Sequence, residues 1–347
     1  MSQIIREDIE RILAENLSWE SFRDTNVLVT GASGMIGSYF LYVLNSLNES
    51  YDYNIGVYAL VRNPNKLPSN LAGKINVIKQ SVTESIDVET SFDYIIHAAS
   101  PASPSIMKTD PVGTWSANVL GTYNTLELAR KNKSNGYLYI SSREIYGQPY
   151  EGQEKFTEEI YGLVDPLDVR SCYPEGKKAA ENLCVCYKQQ YGINAKIARL
   201  AHTFGPGMSI NDGRVQADFL RNVVRHENIV LKSKGESVRT YTYVADAVSA
   251  MFRIILSSEN IVYNIASEES TVSILALANT LAEIYKNRGV EVIFDIPTSD
   301  TNSGTAPFTL GILDSSSLRG IGWKPAYTLQ EGLIRTVKHL ERYKERA

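Results

Sequence analysis

Tyr173 and Lys177 stand four residues apart in Cys172-Tyr173-Pro174-Glu175-Gly176-Lys177. On a helix that spacing puts both side chains on one face, one turn apart. A free phenol, with a pKa of about 10, is a poor base at neutral pH. A nearby ammonium favours the phenolate, and desolvation and hydrogen bonds adjust the result. Such a tyrosine takes the proton of an alcohol while hydride leaves the same carbon. A surface tyrosine beside a surface lysine has the same spacing, so the pair gains meaning only from the rest of the chain.

The elements that must hold this pair follow from pattern. Asn26-Val27-Leu28-Val29-Thr30 is a β-branched run and predicts a buried strand. Gly31-Ala32-Ser33-Gly34-Met35-Ile36-Gly37 follows at once, then an apolar helical stretch over residues 38–47. Strand, glycine turn and helix form a dinucleotide-binding unit, in which glycines let the backbone approach a pyrophosphate at the helix N-terminus. The cofactor contacts expected there are Gly31, Ser33, Gly34, Met35, Ile36 and Gly37.

Further strands are expected over residues 55–61, 75–79, 94–100, 136–142 and 196–200, with helices over 111–131 and 173–191 between them. Strands alternating with helices predict an α/β fold, a Rossmann-like doubly wound parallel sheet. Ligands bind at the carboxyl ends of such strands, so Ser142, Arg143 and Glu144 should face the substrate. His97, closing a buried strand, reads as structural rather than catalytic. Arg62-Asn63 ends the second strand, where an acidic residue usually meets the ribose of NAD. Arg62 suits a 2′-phosphate or is a solvated loop residue, which leaves NAD against NADP open.

After about residue 200 the alternation stops and turn clusters appear. The expected division is a helical extension over 1–25, a dinucleotide-binding domain over 26–200, and mainly a smaller substrate-binding lobe over 201–347, with some segments returning to the first domain. Arg239 is a candidate for a diphosphate contact, since a guanidinium fork suits phosphate, though a solvated strand arginine fits equally. Ile5, Ile9, Ile12 and Leu13 predict a leading amphipathic helix.

With 43% hydrophobic and 21% charged residues in 347, the composition is that of a globular protein. A net charge of −4 gives no sign of nucleic-acid binding. The charges within the first helical stretch argue against a membrane span. Three cysteines form no disulfide framework and fit a reducing cytosol, so a cytoplasmic location is expected. Cys184-x-Cys186 lacks metal-ligand spacing, and no metal site is expected.

Taken together, the Gly31/Gly34/Gly37 turn, Ser142, the Tyr173/Lys177 pair and the stretch from Arg199 to Pro206 resemble the extended short-chain dehydrogenase/reductase family, the nucleotide-sugar enzymes of epimerase/dehydratase type. The likeness is greatest to the UDP-glucuronate decarboxylases. It rests on His97-Ala98-Ala99-Ser100-Pro101-Ala102-Ser103-Pro104, Cys172 to Lys177, Thr203-Phe204-Gly205-Pro206 and Asn211-Asp212-Gly213-Arg214-Val215.

The resemblance implies a redox-neutral lyase with tightly held NAD. Tyr173 takes the C4 hydroxyl proton, Lys177 holds the nicotinamide ribose, Ser142 bonds the C4 oxygen, and Glu144 handles the proton returning to C5. Ala98 would join the cofactor contacts, with Ser100, Arg143, His202, Arg214 and Arg239 on the nucleotide sugar. It also implies a homodimer that pairs the helix after Asn118 with the helix carrying Tyr173.

The chain departs from that pattern. The decarboxylases have Thr-Ser-Glu where Ser142-Arg143-Glu144 stands here. Arg143 either pairs with a sugar carboxylate or fills the pocket for a different sugar. His202 replaces an asparagine, Ser81 an aspartate, and Phe308-Thr309-Leu310-Gly311 stands where a basic pair is expected. A 4-epimerase, a 4,6-dehydratase and an NADPH-dependent keto-sugar reductase therefore remain alternatives. Arg143 in place of an acid argues against the dehydratase. A non-catalytic binding protein would need none of the proton-transfer groups.

Overall fold

The computed structural model describes residues 1–257, 259–296 and 310–344. Phe308 and Thr309 lie outside the described residues. Up to residue 200 the strands are β1 (Asn26–Thr30), β2 (Gly56–Val61), β3 (Asn76–Lys79), β4 (Tyr94–His97), β5 (Gly136–Ser142) and β6 (Ala195–Leu200). Beyond it come β7 (His202–Phe204), β8 (Ile229–Leu231), β9 (Val238–Tyr243), β10 (Val262–Ile265), β11 (Thr271–Ser273), β12 (Val292–Phe294) and β13 (Leu310–Gly311). The helices that matter here are α1 (Gln3–Leu13), α2 (Met35–Tyr51), α3 (Pro104–Thr109), α4 (Pro111–Asn132), α5 (Cys172–Tyr191), α6 (Val215–Arg225) and α7 (Val244–Ser257). Towards the C-terminus follow α8 (Ile274–Ile284), α9 (Ser316–Gly320) and α10 (Leu329–Lys344).

Seven strands form one sheet in the order β10-β6-β5-β4-β1-β2-β3. Every pairing in it is parallel. Strand order reverses between β1 and β4, which opens a crevice at their carboxyl ends. Both faces of the sheet are covered, which explains the continuous apolar runs in its strands. Alternation along each strand divides its side chains between two cores. Val27 and Val29 join the core with Leu41 and Leu44 of α2 and Phe252 of α7. Leu28 joins the opposite core with Leu126 and Ala129 of α4 and Ala180 and Cys184 of α5.

β4 ends at His97, three residues earlier than its apolar run suggests. The backbone of Ala98 and Ala99 packs against Gly31 instead of continuing the ladder. β10 and α7, both after residue 200, return to the large sheet and its covering layer. The remaining late strands make a four-stranded sheet around β9 and the pair β8–β12.

α1 buries Ile5, Ile9 and Ile12, as its spacing predicts. Asp8 is buried on the same face. It accepts hydrogen bonds from Tyr39 Oη at 2.7 Å and Tyr243 Oη at 2.9 Å, and pairs with Arg335 at 2.8 Å. Burial raises its carboxyl above the ordinary carboxylate range, and these partners pull it back. Among the described residues no helix is long and apolar enough to cross a membrane.

Candidate active site

β5 delivers Ser142 to the crevice, and a 3-10 turn over Arg143–Tyr146 follows. Ser142 caps that turn, its Oγ accepting from Glu144 N at 3.2 Å. Gly147 closes it at φ 58°, where a Cβ would lie 1.9 Å from the Leu163 carbonyl oxygen. No larger residue fits that crossing of chains. The side chains of the turn are therefore aimed by backbone that has little freedom.

α5 presents Tyr173, Lys177, Glu181 and Cys184 from one buried stripe. Burial pushes the Tyr173 phenol up to about 12. The Glu144 carboxylate adds to that rise, while a hydrogen bond with Ser142 and the charges of Arg214 and Arg170 oppose it. Lys177 Nζ donates to the Ile140 carbonyl at 2.6 Å and lies 4.7 Å from the centre of the Tyr139 ring. Burial brings this ammonium down to about 7, against the pull of Glu181. The spacing argument thus holds for placement. Burial is the largest influence on both groups, raising the phenol and lowering the ammonium.

One cavity, of about 460 Å³, lies over the glycine turn. Gly31, Ser33, Gly34, Met35, Ile36 and Gly37 line it together with Ala98, Ser100, Tyr173 and Lys177. A Cβ on Gly31 would meet Ala98 and Ala99 backbone atoms at 2.7 Å, and one on Gly37 the Gly31 carbonyl oxygen at 2.4 Å. The start of α2, whose first residues line this cavity, has no side-chain cap bond at Gly34. A backbone cradle at a helix start fits a pyrophosphate. Ser100 donates to Asn118 Oδ1 at 2.8 Å, which ties the cavity wall to α4.

Arg62 stands apart: it is exposed and is not part of the lining. His97 is buried, bonded through Nδ1 to Thr30 Oγ1 at 2.8 Å, with its imidazole held down at about 3. That is the structural role expected of it.

A second cavity, of about 380 Å³, adjoins the first. Ser142, Tyr173 and Arg214 line both. Arg143, Glu144, His202 and Arg239 line the second alone. Arg143 is fully buried, donates to the Gly147 carbonyl at 3.1 Å, and is lowered to about 10 by burial and by Arg239 and Arg170. His202 is held neutral by burial and by Arg239, Arg143 and Arg214. Arg214 is paired with Asp212.

Arg170 is the residue that sequence reasoning missed. It lines the same cavity and bonds both Glu144 oxygens, at 2.9 and 2.7 Å. Its position three residues before Tyr173 was a signal, but nothing local ties it to Glu144. Among the described residues no cluster of three His, Cys, Asp or Glu side chains could hold a metal ion.

Comparison with known proteins agrees with this geometry. The model of the NAD dependent epimerase/dehydratase family matches residues 27–266. UDP-glucuronic acid decarboxylase 6 of Arabidopsis thaliana is 34% identical over 308 residues, 88% of this chain and 86% of that one. The Thermotoga maritima UDP-glucose 4-epimerase with UDP-glucose superposes with a TM-score of 0.78 at 25% identity, over 92% of this chain and 99% of its own. The Thermus thermophilus UDP-glucose 4-epimerase complex with NAD gives 0.71 at 25% identity, over 90% and 98%. The glycine cradle, the Tyr173/Lys177 stripe and these likenesses agree: the chain belongs to the NAD-dependent epimerase/dehydratase family.

Proposed function

We propose that the protein oxidises C4 of UDP-glucuronate, releases C6 as carbon dioxide and restores the C4 alcohol. The observation that carries this reading is the place of Tyr173 and Ser142 where the two cavities meet, with Glu144 on the turn beyond. The decarboxylase names of its relatives support it.

A nicotinamide dinucleotide over the glycine turn would supply reversible hydride transfer at C4. Gly31, Ser33, Gly34, Met35, Ile36 and Gly37 would hold its pyrophosphate, with Ala98 beside it and Lys177 on its ribose. Tyr173 takes the proton of the C4 hydroxyl, and Ser142 fixes that oxygen. A C4 ketone makes the C6 carboxylate β to a carbonyl, so carbon dioxide leaves as an enolate forms. Glu144 gives a proton to C5, and Tyr173 returns its own to the C4 oxygen. Arg239 and Arg214 suit the diphosphate, with Ser100, Arg143 and His202 around the sugar. NAD rather than NADP is supported by the family description and by the NAD complex of the Thermus thermophilus epimerase. The segments after residue 200 that line the second cavity act as the substrate-binding lobe.

Incubation of the purified protein with UDP-glucuronate and no added cofactor tests this. Carbon dioxide and a UDP-pentose are expected. A second reading, 4-epimerisation, is favoured by the engagement of both Glu144 oxygens by Arg170. It predicts an epimeric UDP-hexuronate and no gas.

The protein is read as a homodimer. α4 and α5 leave Val112, Trp115, Leu120, Tyr123, Val185 and Tyr191 exposed, an apolar face suited to a second copy. Three free thiols support a cytoplasmic location.

A further inference from the structure

The charges around the second cavity are unevenly matched. Arg143, Arg170, Arg214, Arg239 and Lys232 line it, against the carboxylates of Glu144 and Asp218. Asp218 is paired with Arg221, and Arg214 with Asp212. Glu144 is therefore the lining carboxylate whose partner shares the wall with Tyr173. Both members of that pair are about one-fifth exposed, at 20% for Glu144 and 22% for Arg170. Neither is sealed away from an entering ligand.

Both bonds leave one nitrogen, Arg170 Nη2. Among the described residues they are the only side-chain bonds of this guanidinium. Glu144 is thus not held in the side-by-side fork that matches a planar carboxylate, which needs a second nitrogen beside Nη2. Arg170 also sits on a short turn, Val169–Ser171, beside exposed Leu167 and Val169, so little packing fixes it. A second carboxylate at this guanidinium would face Glu144 at close range. Two carboxylates sharing one site do not both stay ionised. The other titratable groups lining this cavity are the Tyr173 phenol, neutral His202, the guanidiniums of Arg143, Arg214 and Arg239, Lys232 and Asp218.

We propose that Arg170 is an exchangeable carboxylate receptor, passing from Glu144 to the C6 carboxylate of an incoming nucleotide hexuronate while the released Glu144 takes up the proton that it later gives to C5. This rests on the decarboxylase reading and supplies its acid. The balance closes. One proton from solvent makes Glu144 a carboxylic acid. The C5–C6 bond breaks, its electron pair stays on the sugar as the enolate, and C6 leaves as neutral carbon dioxide. The Glu144 proton forms the C5–H bond, and the regenerated carboxylate pairs again with Arg170.

Calorimetry on the full-length Tyr173→Phe protein, in which turnover should be slowed about 10²- to 10⁴-fold, tests the exchange. UDP-glucuronate and UDP-glucose are titrated in two buffers of different ionisation enthalpy. UDP-glucuronate should take up about one proton more per site than UDP-glucose. Arg170→Gln in that background should weaken UDP-glucuronate about 10- to 100-fold, the loss of a charged hydrogen-bond pair, and leave UDP-glucose affinity unchanged. Arg170→Lys should recover part of the loss. Equal weakening of both ligands, or equal proton uptake, overturns the proposal.

If Arg170→Gln does not fold, Glu144→Gln serves. It should bind UDP-glucuronate without proton uptake and at least as tightly, and persistent uptake counts against the exchange. The two readings fail separately. Wild-type protein that shows the uptake but releases no carbon dioxide overturns decarboxylation alone. Carbon dioxide release at an undiminished rate by Arg170→Gln overturns the receptor alone.

Discussion

Arg199 Nη2 lies 2.7 Å from Glu181 Oε2, a buried ion pair that joins β6 to the helix carrying Tyr173. Glu181 also accepts from Ser141 Oγ at 2.5 Å, and Arg199 Nη1 donates to Tyr146 Oη at 2.8 Å. The strand before the reacting serine, the turn after it and the reacting helix are thus fixed to one another below the cavities. Breaking such a pair from one side leaves a buried charge and costs about 3–5 kcal/mol. Arg199→Met should lower unfolding free energy by that amount in urea, and Arg199→Met with Glu181→Met should recover most of it. A small loss in the single variant would show that the pair is hydrated.

Tyr173→Phe should lower kcat by about 10²- to 10⁴-fold, the usual contribution of one positioned proton-transfer group. Binding of UDP-glucuronate should change little, because the ring and its packing remain. Steady-state rates and a calorimetric Kd separate the two effects.

Lys177 makes stability depend on pH. Its folded value of about 7 lies below the ordinary 10.5, so the unfolded chain binds more protons between those limits. Stability from this group therefore rises as pH goes from about 7 towards 10.5, and the cost of burying it is greatest at and below neutral pH. Lys177→Met should melt at or above the wild-type temperature at pH 7, with the difference shrinking towards pH 10, while activity is lost. A variant less stable at pH 7 would contradict this.

Gly31 and Gly34 should respond unequally to alanine. Gly31 has φ 61°, and a Cβ there would meet backbone at 2.7 Å, whereas one on Gly34 meets only the Gly31 carbonyl oxygen at 3.3 Å. Gly31→Ala should purify without bound dinucleotide, and Gly34→Ala should retain part of it. Absorbance of the supernatant after denaturation measures both.

Tyr123→Glu on α4 should convert a homodimer to a monomer, read as a halved mass by light scattering. Tyr123 is 48% exposed in the chain alone, so the change should leave the fold intact. A wild-type protein that is already monomeric would remove the dimer reading.

Features set by neighbours along the chain were legible before any coordinates. The run Asn26 to Thr30, the glycines after it and the apolar period behind them can form only a strand, a tight turn and a helix, because those preferences act within a few residues. The i, i+4 relation of Tyr173 and Lys177 is likewise local. Tertiary structure alone decided the pairing of Arg170 with Glu144, the burial of Asp8 inside α1, which of the late segments return to the large sheet, and the burial that lowers Lys177. Each depends on which distant groups come together and how much water they exclude. Coulomb energy and desolvation act through space rather than along the backbone, so no spacing rule carries them. Arg62 shows the same limit from the other side: its residue type suits a phosphate, but which ligand meets it depends on its place in the fold, exposed just after β2.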